Sequence, residues 1–168
     1  FNSDRIDYLK KYQNQLEELL KMQYKKEDST KLSEKLLKRY FLKIFEFTPF
    51  ILRKYFGSNI FLMIKSIGEE SIFCIDFSKK KLLKSDLIPF HKNNVIIKVN
   101  SYVINDVCRN SHWNSLGVSK RLEVLMNPGN KRYIIFNFLC ITIETKNFLP
   151  IKNILNLRFI TIWIRRYR

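Results

Sequence analysis

The feature that most constrains this fold is a change of hydrophobic period at Gly57. Ahead of it apolar residues recur every three or four positions, and beyond it they fall into short runs and alternations. From 3 to 26, Ile6, Leu9, Leu16, Leu19 and Leu20 form a helical stripe, with Ser3 or Asp4 as the cap. A polar cluster at 25–29 interrupts. Leu32, Leu36, Leu37, Tyr40, Phe41, Ile44 and Phe45 then mark one broad helical face. Pro49 ends that helix, because its ring and missing N–H cannot be accommodated inside one. A short helix from Pro49 to Phe56 closes at Gly57 in a left-handed cap.

Beyond Gly57, 60–67 and 71–77 read as strands around a hairpin turn at Gly68-Glu69-Glu70, with a third strand at 81–83 and a fourth at 95–99. Val103, Ile104, Val107 and Cys108 return to helical spacing behind Asn100 or Ser101 as cap. In 112–124, "HWNSLGVSKRLEV", Trp113 and Leu116 read as anchors for the end of that helix. Gly117 lets the chain turn into a strand over 121–126. Asn127-Pro128-Gly129-Asn130 is a turn. The β-branched and aromatic residues of 133–143 favour a strand, although the length also allows a buried helix; we read it as a strand. From Pro150 on, Ile151, Ile154, Leu155, Phe159, Ile162 and Trp163 recur at helical spacing ahead of Arg165, Arg166 and Arg168. The expected class is α+β: a helical N-terminal part (1–57), then a mainly antiparallel sheet with one or two further helices (58–168), the whole forming one compact unit.

Charge bears on partners. The net charge of +16 would attract nucleic acid or an anionic membrane. Lys outnumbers Arg 21 to 10 and alanine is absent, so part of that excess reflects the codons of an AT-rich genome. The final third, 112–168, holds 10 basic and 2 acidic residues, half of the net charge. Its Arg158, Trp163, Arg165, Arg166 and Arg168 have two readings. They are a cation-and-aromatic surface for RNA or an anionic head group, or the charged face and C-terminal cap of a docked helix.

Little else carries chemistry. Two histidines, His91 and His112, cannot build a His-rich metal site, and the three cysteines lie more than thirty residues apart in apolar runs, as buried reduced thiols do. The four glycines are solitary, so no phosphate-cradling loop is present. Glu17-Glu18 and Glu69-Glu70 are exposed pairs, poor acids near neutral pH. Ser119-Lys120 would point to opposite faces of a strand. No catalytic, cofactor-binding or metal-binding residue is assigned, and no cofactor is expected. Phe61, Phe73, Phe77, Phe136 and Phe138 either pack the core or line an apolar cavity for a lipid-like ligand. No apolar stretch approaches the roughly 18–20 residues of a membrane span. A cytoplasmic or organelle-interior location follows as an expectation. Because the chain begins at Phe1, it reads as a piece of a longer chain or a processed product.

From about residue 60 onward, Trp113-Asn114-Ser115-Leu116, Ser119-Lys120-Arg121, Leu149-Pro150, Arg158-Phe159 and Trp163-Ile164-Arg165-Arg166 resemble the C-terminal accessory region of some bacterial metallo-β-lactamase-fold proteins. These include Rieske-containing relatives of CMP-N-acetylneuraminate hydroxylase. The strand–turn–strand arrangement behind a helical lead-in is also similar to a sterol-carrier-type domain. The His-rich metal motif of those hydrolases and the Cys/His pairs of a Rieske cluster are absent, so the resemblance implies a non-catalytic accessory domain. Its partner would be an upstream hydrolase- or oxygenase-like domain of the same chain, or another protein. The alternatives are a basic RNA-associated protein of ribosomal type and a lipid-binding module.

Overall fold

Gly57 ends a three-helix lead-in and opens the strand-bearing part of the molecule. The computed structural model describes residues 2–118 and 121–144. Three helices come first: α1 (Asn2–Ser29), α2 (Glu34–Phe47) and α3 (Phe50–Phe56). Then follow β1 (Ile60–Ser66), β2 (Glu69–Asp76), β3 (Lys81–Ser85), β4 (Val95–Asn100), α4 (Ser101–Asn110), α5 (Asn114–Val118), β5 (Leu122–Met126) and α6 (Arg132–Glu144). The strand order is β3-β2-β1-β4-β5; every neighbouring pair is antiparallel except β1 with β4. The class is α+β, as expected.

Local chemistry explains most boundaries. Thr48 caps α2 in extended geometry and Pro49 precedes α3. The Asn100 side chain accepts the Tyr102 N–H at 2.8 Å and starts α4. Pro128 and Gly129, the latter at φ +81°, occupy the central positions of a turn closed by the Asn130 N–H on the Asn127 carbonyl at 3.1 Å. That is a type II arrangement, which favours glycine at the third position.

Six expectations are corrected. Residues 133–143 form helix α6, because Phe136, Leu139, Cys140 and Ile143 are buried at i, i+3, i+4 and i+7 and that tertiary stripe overrides strand propensity. Phe136 and Phe138 therefore belong to a helix and not to the sheet. The hairpin turn is centred on Ile67 (φ 49°) and Gly68 (φ 78°), so Glu69 and Glu70 already pair with Ser66 and Lys65. A two-residue turn with both φ positive matches the twist of its strands. Helix α1 starts at Asn2, which puts Ser3 and Asp4 inside it. Gly57 has φ +55° with ψ −127°, a glycine conformation outside the left-handed helical region, and Gly117 lies within α5, not in a turn. The apolar tail from Pro150 lies outside the described residues.

The core sits between the helices and one face of the sheet. Leu37, Tyr40, Phe41, Ile44 and Phe45 of α2 meet Ile60, Leu62, Ile64, Phe73, Ile75, Val95 and Ile97, with α4 and α6 closing the sides. Aromatic rings fill its centre: Phe45 on Phe77 at 5.3 Å, Phe56 on Phe77 at 4.8 Å, Trp113 on Phe136 at 5.4 Å. Phe73, Phe77 and Phe136 are core packing. Helix α1 is different, since every residue from 5 to 26 is exposed, the apolar stripe included. Among the described residues its C-terminal end alone is tied down, by Lys26 over the Tyr102 ring, the Glu27–Arg121 ion pair and the Thr30 carbonyl accepting from Ser101 Oγ.

Candidate functional site

Residues 112–118 and 121–124 lie at a corner. Trp113 and Leu116 are fully buried, and the Trp113 indole stacks on Tyr40 and meets Phe41 and Phe136 edge-on. Its backbone N–H donates to both oxygens of Glu144, at 2.8 and 2.6 Å, and the Tyr40 hydroxyl donates to Glu144 Oε1 at 2.7 Å. One carboxylate thus joins α2, α6 and the turn after α4. Burial pushes the Glu144 carboxyl above its ordinary value; the two donors and the nearby His112 and Lys43 charges oppose that shift without overcoming it. His112 faces Asp106 at 3.1 Å.

The thiols are poor nucleophiles. Burial pushes Cys74 up to about 11 and Cys108 up to about 12, and raises Cys140 as well. Among the described residues no three His, Cys, Asp or Glu side chains converge on a cation position, and no helix is long and apolar enough to cross a membrane. Arg158, Trp163, Arg165, Arg166 and Arg168, with the pair Ser119-Lys120, lie outside the described residues.

The sheet has a second apolar face. The register aligns Leu83, Cys74, Phe61, Ile96 and Leu125 in one row across all five strands, on the side away from the helices. None of these five belongs to the main core cluster. The segment 86–94 carries the chain from β3 at one edge to β4 next to the other, and its Ile88, Pro89, Phe90 and His91 form a groove with Ile96, Val124, Leu125 and Met126. The groove has a volume of about 470 Å³ and is mainly apolar. Phe90 beside it is fully exposed, and Leu87 is nearly so.

A second depression, of about 350 Å³, adjoins the first through Asn127, which lines both. It is lined by Tyr55, Lys92, Asn93, Lys131 and Arg132 around the 127–130 turn, and among the described residues no carboxylate lines either hollow. Its walls are tied together. Asn127 Nδ2 donates to the Lys92 carbonyl at 2.9 Å, and Asn130 Nδ2 donates to the Asn93 carbonyl at 3.0 Å. The Arg132 guanidinium lies 4.7 Å over the Tyr55 ring and donates through Nε to the Tyr55 carbonyl at 3.3 Å.

Sequence reasoning placed none of these groove residues in a site. A signal was present, because Ile60-Phe61-Leu62-Met63-Ile64 is apolar in both phases of the strand, the pattern of a sheet with apolar residues on both faces.

No family model matches the chain, and no curated protein matches it. Among solved structures it is similar to sterol carrier protein-2 like-3 from Aedes aegypti, with 11% identity over 67% of this chain and 93% of that one and a TM-score of 0.42.

Proposed function

We propose that this chain is a non-catalytic binding module for an anionic amphiphile, with the acyl or other apolar portion lying against Ile88, Phe90, Ile96, Leu125 and Met126 and the head group at Lys92, Lys131 and Arg132. The observation that carries this reading is the shared wall at Asn127: an apolar groove opens directly beside a cationic hollow. Ligand sites are commonly apolar clefts of this size with a few polar groups that fix orientation. Arg132 is held by its ring and carbonyl contacts, so its fork is set in place before a carboxylate or phosphate arrives. The accessory role fits the same surface, with the ligand presented to a hydrolase- or oxygenase-like partner.

The test is titration of the full chain with a fatty acid, the matching alkyl alcohol and the matching alkylammonium, followed by tryptophan-independent calorimetry. The acid should bind most tightly, Lys131→Glu with Arg132→Glu should erase its advantage over the alcohol, and Phe90→Asp should weaken all three. Equal affinity for the acid and the ammonium would sink the reading. So would strong retention on RNA that falls steeply with salt and is lost with the same two charge reversals, since phosphate contacts release counterions.

A further inference from the structure

Helix α1 exposes a regular seam. Ile6, Leu9, Gln13, Leu16, Leu20 and Gln23 follow a three–four spacing, the a and d positions of a heptad, and are exposed together with the flanking Tyr12 and Leu19. A lone helix exposed all round is marginal in water, because helices draw most of their stability from packing an apolar face. Its charges are balanced, with six basic and six acidic side chains between residues 2 and 29, so the chain's +16 resides entirely outside it. We infer that α1 pairs with α1 of a second copy as an antiparallel two-stranded coil centred between residues 14 and 15.

Charge selects this arrangement. In the antiparallel register Leu9 meets Leu20 of the other copy, Leu16 meets Gln13, and the two Gln13 side chains occupy neighbouring central layers. Flanking positions then bring Lys10 beside Glu17 of the other copy, twice, Tyr12 beside Leu19, twice, and, at the outer ends, Arg5 beside Lys26, twice, so that attraction and repulsion along the flanks balance. In the parallel alternative Arg5 faces Lys10 twice, and the remaining flanking pairs, Tyr12–Glu17 and Leu19–Tyr24, offer no attraction to offset that repulsion. Opposite directions also keep the two basic bodies at the ends of a rod about 30 Å long, several screening lengths apart, whereas a parallel pair sets them side by side.

The test is sedimentation equilibrium of the full chain and of charge variants. The wild type should be a monomer–dimer mixture, Leu16→Asp should be monomeric with the unfolding transition of the body unchanged, and Lys10→Glu or Glu17→Lys alone should raise the dimer Kd about tenfold. The double exchange Lys10→Glu with Glu17→Lys should restore it. A wild type that stays monomeric at every concentration overturns the inference. Dimerisation tightened by Lys10→Glu overturns it too, because that is the parallel outcome, as does an α1 that binds anionic phosphatidylserine vesicles while never self-associating.

Discussion

Helices α1 and α2 carry apolar stripes of the same period, yet one is exposed along its length and the other is sealed. Phe41 and Ile44 of α2 show no accessible surface, while Leu9 and Leu19 of α1 are 53% and 64% exposed. The difference lies in what faces them. Helix α2 has a sheet whose inner phase offers Leu62, Phe73 and Ile75, and α4 and α6 close around it. Among the described residues, helix α1 touches the body near its last turn alone. Amphipathic pattern therefore specifies a buried face without specifying the molecule that buries it.

The sharpest way to break this comparison is to truncate one apolar residue on each side of it. Trp113→Ala should destabilise the body by about 3–5 kcal/mol, the range for emptying a large aromatic site, read as a shift of the denaturant midpoint. Trp113→Phe should cost less, because the indole Nε1 is buried with no acceptor among the described residues and its loss forfeits no hydrogen bond. Leu16→Ala on α1 should move that same transition by less than about 0.5 kcal/mol in dilute solution, as exposed positions do. Equal effects at Leu16 and Trp113 would mean that α1 is part of the core after all.

A smaller effect concerns Glu144, the carboxylate that locks α6 to the body. Its folded-state value is raised above the ordinary 4.5, chiefly by burial. The native state then holds its proton more tightly than the unfolded chain. This group's contribution is fully favourable below about pH 4.5 and is lost as pH rises through the native value. Glu144→Gln keeps acceptor capacity toward the Trp113 N–H and the Tyr40 hydroxyl but cannot ionise. The stability of the wild type relative to this variant should decline from pH 4 toward neutrality. A relative stability that climbs with pH would show that the hydrogen bonds and the His112 and Lys43 charges outweigh burial.

What was legible in the sequence was local. The Pro49 break, the Asn100 cap, the Asn127–Asn130 turn and the α2 stripe each depend on residues near one another in the chain, and each stands where its chemistry puts it. Helix α6 was missed because Ile134, Ile135, Ile141 and Ile143 carry strand propensity, whereas burial of Phe136, Leu139 and Cys140 against distant elements decides the outcome. The groove was missed for a topological reason. It exists because 86–94 connects β3 to β4 and so brings Ile88, Pro89 and His91 beside Ile96 and Leu125, a juxtaposition no local pattern encodes. The parallel pairing of β1 with β4 is non-local in the same way.

Hydrogen exchange on the full chain across a dilution series tests the division between the two regions most directly. The account predicts that amides of residues 5–24 gain protection as concentration rises, while those of α2, β1 and β4 exchange at rates independent of concentration. Protection of α1 equal to that of the core at every dilution would contradict it.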